Sequence, residues 1–204
     1  NSKFVKHPAV WDKAGRKGLK SVVVGVPPGY PPKPINGWWI GCFITPSNKS
    51  PYTYPPELKS EIEEKFGPYI FDVVFRTEER DKLIKELWEM TRYHFKVLRW
   101  LAEKSWDFFM FVEIGVDRVQ HAFWGYMDPE HHKYKPGNKY EKVILEYYKL
   151  IDSELEKLLK NTSKDTAVMV VSDHGAKRMK GAFVVNQWLA EKGYLKILDD
   201  KIKP

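Results

Sequence analysis

The chain has a single cysteine, Cys42, so it can form no internal disulfide. A reducing, cytoplasmic setting is the expected one. Glutamine is nearly missing, with only Gln120 and Gln187. Set beside abundant Lys and Glu, this suggests a thermophilic source, because ion-pair networks gain value with heat and amides are labile. No apolar run is long enough to span a membrane. There is no internal repeat, no low-complexity tract and no Arg-rich stretch. The net charge of +7 comes from 34 Lys and Arg against 27 Asp and Glu, mixed along the chain rather than blocked. A positive surface can attract nucleic acid, a membrane or a phosphorylated small molecule, but this distribution reads as solvated helix faces, with nucleic acid not an expected partner.

What is present alternates. Residues Ser21 to Val26 form a β-branched run, expected as a buried strand. The Pro-rich stretches 27–34 and 46–56 cannot be helix or central strand. Between them Trp38 to Ile44 is expected as a strand, and a helix is expected to open near Pro56. Tyr69 to Phe75 reads as a strand. From Thr77 to Lys104 the apolar positions Leu83, Leu87, Met90, Phe95, Leu98 and Leu101 recur at helical spacing, with acidic residues at the start. Asp107 to Ile114 is a strong apolar strand pattern. Tyr140 to Leu159 is an amphipathic helix pattern. Thr166 to Val171 is a second strong strand pattern, followed by a short helix over Phe183 to Lys192 with Gly193 at its C′ position. Tyr194 to Leu198 is expected as a last strand. Apolar strands alternating with helices predict an α/β fold, a mostly parallel sheet with helices on both faces. Ligands of such sheets bind beyond the carboxyl ends of the strands.

Both of the strongest strand patterns lead into acid and imidazole. Asp117-Arg118-Val119-Gln120-His121 follows the first, and residues four apart share one side of a helical turn. Asp173-His174 follows the second. A carboxylate with an imidazole suits zinc, manganese or iron. Either pair alone is commonly a cap or surface pair. The two together, each at the end of an expected buried strand, point to a metal site. His131 and His132 read as exposed loop residues, His94 and His7 as structural or solvated. Lys177, Arg178 and Lys180 read as solvated rather than phosphate-binding.

These residues resemble the type I phosphodiesterase/nucleotide pyrophosphatase family of the alkaline phosphatase superfamily, and its archaeal members most closely. The resemblance is carried by Val26-Pro27-Pro28-Gly29-Tyr30-Pro31-Pro32 with Ile35-Asn36-Gly37, by Tyr54-Pro55-Pro56-Glu57-Leu58, by Asp117 to Trp124, by Tyr148 to Asp152, by Ser172-Asp173-His174-Gly175 and by Phe183 to Leu195. It implies an alkaline-phosphatase-like core and a hydrolase of phosphate esters acting on a small, nucleotide-like substrate. Two divalent ions, zinc first and manganese as the alternative, would clamp the phosphoryl group while a Thr or Ser attacks phosphorus. Asp117 and His121 would hold one ion, and Asp173 and His174 would help hold the other.

The family's nucleophile has no match, and neither do its early aspartate and a late histidine. Thr45 and Thr53 sit in Pro-rich loops with no acidic ligand behind them, and are set aside. With Asn1 rather than Met at the start, the expectation is one partial domain over 1–204, an incomplete interior section of a longer enzyme that is inactive alone. The alternatives are a cofactor-independent phosphoglycerate mutase-like enzyme, or a non-catalytic metal-binding or interaction domain.

Overall fold

The structure is a computed structural model that describes residues 1–160 and 162–196. It falls into two units, 1–171 and 172–204. The first unit is built on a four-stranded sheet of β1 (Ser21–Val24), β2 (Gly37–Ile40), β3 (Thr53–Tyr54) and β4 (Phe108–Phe111), in the order β3-β2-β1-β4. β2 and β4 both run parallel to β1, and the two-residue β3 closes one edge antiparallel to β2. The helices of this unit are α1 (Val10–Arg16), α2 (Leu58–Phe66), α3 (Arg80–Ala102), α4 (Gly115–Met127) and α5 (Val143–Leu159). No helix of the described residues is long and apolar enough to cross a membrane.

Alternation along β1 divides the core. Val22 and Val24 point into a cluster with Ile40, Leu58 and Ile62 of α2 and Phe95, Leu98 and Leu101 of α3. Val23 points the other way, to Trp39 and to Trp11 of α1, whose ring meets Trp39 edge-on at 5.3 Å. Helices thus cover both faces, as the continuous apolar strands require. A third cluster joins α3, α4 and α5 through Leu87, Met90, Phe123 and Tyr147. This α/β architecture, with parallel strands at its centre, agrees with the sequence expectation.

Several expected strands differ. The strand expected at Trp38 to Ile44 stops at Ile40, and that at Asp107 to Ile114 keeps only four paired residues. Tyr69 to Phe75 is extended but pairs with no strand. Side chains take the place of a ladder there: Tyr93 Oη donates to the Gly67 carbonyl at 3.0 Å, and His94 Nε2 lies 2.7 Å from the Ile70 carbonyl. Thr166 to Val171 is also unpaired, and Met169 and Val170 are 84% and 86% exposed. An apolar run shows that a segment can pair, whereas pairing itself needs a neighbour brought by the fold. Of the last expected strand, residues 194–196 carry no ladder and the remainder lies outside the described residues.

The second unit, over its described residues 172–196, holds α6 (Val185–Glu191). Gly193 follows at φ 75°, the left-handed position that ends a helix at little cost to glycine. The Tyr194 and Leu195 amides return to the Leu189 carbonyl at 2.9 and 3.2 Å.

In the first unit, the passage from β4 to α4 is fastened by Glu113. Its Oε1 accepts from the Gly115 amide at 3.0 Å and from Thr91 Oγ1 at 3.4 Å, and its Oε2 lies 3.2 Å from His94 Nδ1. It thus caps a helix start that has no other side-chain cap. Thr91 also bonds Tyr147 of α5, and a Cβ on Gly115 would fall 1.8 Å from the Tyr147 hydroxyl, so glycine lets α4 begin against α5. His94 faces a carboxylate on one nitrogen and a carbonyl on the other, which the doubly protonated ring satisfies. Burial lowers the His94 pKa, but Glu113 and the Ile70 carbonyl outweigh it and hold the value above that of an ordinary histidine.

Two stability measurements follow. A raised folded-state pKa gives a contribution that is complete below about pH 6.5 and is lost as pH rises through the folded value. Urea midpoints of the wild type are therefore expected to decline above neutrality. Glu113→Gln is expected to cost about 3 kcal/mol at pH 6 and to flatten that decline.

Between α3 and α5, Arg99 Nη1 donates to Glu154 Oε2 at 2.5 Å, and Lys157 Nζ donates to its Oε1 at 2.7 Å. Burial raises the Glu154 pKa, yet the two cations more than reverse this, so the net shift is downward. The contribution is present above the ordinary glutamate range and is lost as pH falls below it. Arg99→Met is expected to cost about 1–2 kcal/mol at pH 7 and less in acid, by the same urea titration.

Candidate metal site

α4 begins where the parallel strands end. Its inner face, Val119, Ala122 and Phe123, is buried, and this turns Asp117 and His121 outward on the opposite side. The two are brought together as the spacing predicts: His121 Nε2 lies 3.3 Å from Asp117 Oδ1. Asp117 sits in the first turn of the helix, where a negative charge is favoured by the helix dipole. Its side chain is partly open and that of His121 is more than half exposed, so both can be reached from solvent. The His121 ring lies 5.5 Å from Phe75.

Arg118 stands between Asp117 and the extended 69–75 segment. Its Nη1 donates to Asp117 Oδ2 at 2.8 Å, and its Nε and Nη2 donate to Asp72 at 2.8 and 2.5 Å. The guanidinium lies over Phe75 and Phe43, at 4.5 and 5.2 Å from the ring centres. Its bonds to Asp72 outweigh burial and raise its pKa, so it stays charged throughout. Sequence reasoning passed over Asp72 and gave Arg118 no role. Their only signal was an acid inside an apolar run and a basic residue inside the Asp-x-x-x-His motif.

In the second unit Asp173 and His174 are also adjacent. His174 Nε2 lies 3.6 Å from Asp173 Oδ2, and the His174 amide donates to Asp173 Oδ1 at 3.1 Å. Both side chains are largely exposed. The expected setting is corrected here. Asp173 follows an open extended segment rather than a buried strand, because Thr166 to Val171 has no ladder partner.

The donor chemistry fits a divalent ion. Each pair offers one carboxylate and one imidazole, a part of the three or four protein donors that zinc takes. Among the described residues no group of three or more His, Cys, Asp or Glu is close enough to hold a metal by itself. The other residues weighed from sequence fall elsewhere. Thr45 is buried with its hydroxyl unpartnered, and Thr53 is buried and donates to the Pro56 carbonyl at 3.3 Å. Neither presents a hydroxyl to substrate. His131 and His132 stack on each other at 4.5 Å in the loop after α4, and His94 belongs to the Glu113 junction. Lys177 and Lys180 are exposed.

No curated protein and no solved structure matches the chain. The family model described as type I phosphodiesterase / nucleotide pyrophosphatase matches residues 1–203. With that match across almost its whole length, the chain belongs to the type I phosphodiesterase / nucleotide pyrophosphatase family.

Proposed function

We propose that the chain is part of a metal-dependent hydrolase of phosphate esters, with Asp117 and His121 as ligands of one divalent ion and Asp173 and His174 as partial ligands of a second. The observation that carries the reading is the outward-facing Asp117/His121 pair on one turn of α4, at the carboxyl end of a parallel sheet. Membership of the family supports phosphate-ester hydrolysis as the activity. Zinc is the ion that the donor set suits best, with manganese next. Bound divalent ions supply charge neutralisation for a transferring phosphoryl group.

The protein's own residues do the remaining work in this reading. α4 presents Asp117 and His121 on a rigid turn, which fixes where the phosphoryl group lies, and positioning is most of what phosphoryl transfer needs. Asp173 and His174 add a second carboxylate and imidazole. Net positive charge draws an anionic, nucleotide-like substrate toward the protein. Thr45 and Thr53 are enclosed, so neither is assigned as the attacking hydroxyl.

The test is hydrolysis of bis(p-nitrophenyl) phosphate by the protein of the full reading frame, with added zinc. His121→Ala and Asp173→Asn are each expected to lower kcat/KM by at least about a thousandfold, with the thermal midpoint within a few degrees of the parent. Full activity in both variants overturns the assignment.

A further inference from the structure

We propose that Arg118, itself held by Asp72, is a positioning residue that sets the orientation and available charge of Asp117 for cation binding. The inference rests on the reading of Asp117 and His121 as metal ligands.

The geometry makes Asp117 a divided carboxylate. Oδ2 is taken by Arg118 Nη1 at 2.8 Å, which leaves Oδ1 facing His121 Nε2 at 3.3 Å. A carboxylate in the first turn of a helix, open to solvent, would otherwise rotate about its last bond and pay entropy to meet an ion. The arginine cannot easily move with it. Arg118 is only 8% exposed, is gripped by both Asp72 oxygens and lies over Phe75 and Phe43. Planar, two-pronged bonding of this kind holds a guanidinium in one orientation.

A bare arginine beside a metal ligand would repel the incoming cation. Asp72 removes that objection. Two carboxylates share one guanidinium, so the trio Asp72, Arg118 and Asp117 retains one net negative charge. The fork of Arg118 thus spends most of its hydrogen bonding on Asp72 and gives Asp117 a single anchoring bond. Orientation is fixed while attraction for a cation remains. Outer partners of this type commonly change metal affinity by 10–100-fold.

The experiment measures zinc binding by calorimetry for the wild type, His121→Ala, Arg118→Lys, Arg118→Met and Asp72→Asn, with cobalt(II) absorption as a report on ligand geometry. Arg118→Lys keeps the charge and much of the packing but loses the fork. It is expected to weaken zinc about 10–100-fold and to alter the cobalt spectrum at a temperature where the fold is intact. Asp72→Asn turns an uncompensated guanidinium on Asp117 and is expected to weaken zinc by a similar factor. A purely structural Arg118 would change the unfolding midpoint and leave zinc affinity and the cobalt spectrum unmoved in Arg118→Lys and Asp72→Asn. That pattern, with zinc binding still lost in His121→Ala, overturns the proposal while the metal reading stands. Zinc binding that survives His121→Ala overturns both. Should Arg118→Met fail to fold, the lysine and Asp72→Asn variants decide the matter.

Discussion

One largely buried carboxylate organises the passage from the sheet to α4. Glu113 stands where the sheet gives way to α4, and its two oxygens meet three groups on two helices: the first amide of α4, and the Thr91 hydroxyl and His94 ring of α3. His94 passes the connection on to the backbone of the extended 69–75 segment, and Thr91 passes it to α5. An isolated buried charge of this kind would be costly, which is why its partners are themselves buried and fixed. The direction in which α4 leaves the sheet, and so the placement of Asp117 and His121, follows from this set of bonds.

The charges farther along α4 show a division of labour. Asp117 and His121 stay open to solvent while Arg118, between them in sequence, turns inward to Asp72. A helix makes this possible because neighbouring residues point about 100° apart while residues four apart share a side. The same short motif therefore holds an exposed acid–imidazole pair and a largely buried ion pair. Family membership gives that arrangement a chemical context, since phosphate esters carry negative charge.

Much of the fold could be read from sequence because it rests on local patterns. The long period-3.6 stripe of α3, the β-branched run of β1 and the glycine that ends α6 are each specified by neighbouring residues. The Asp117/His121 pair was legible for the same reason, being a matter of spacing on one helix. Tyr69 to Phe75 and Thr166 to Val171 were misread as strands because both have the composition of strands, and nothing local announces whether a partner will lie alongside. Asp72 was invisible as the partner of Arg118 because the two are 46 residues apart and the contact exists only once the extended segment folds across α4. His94 read as structural or solvated and is structural, but its pairing with Glu113 was hidden in the same way: a lone acid at a strand end and a lone histidine in an apolar helix face carry no mark of each other.

The open stretch 166–171 bears on how the protein behaves in concentrated solution. Thr166-Ala167-Val168-Met169-Val170-Val171 carries no charge, no proline and no glycine, and its last four residues are more than half exposed. Six residues of this composition are what cross-β stacking selects. β4 lies at the edge of its sheet as well, with one side unpaired among the described residues. An exposed apolar segment of this kind and an open sheet edge are both surfaces on which chains can pair, a liability that covering either one would reduce.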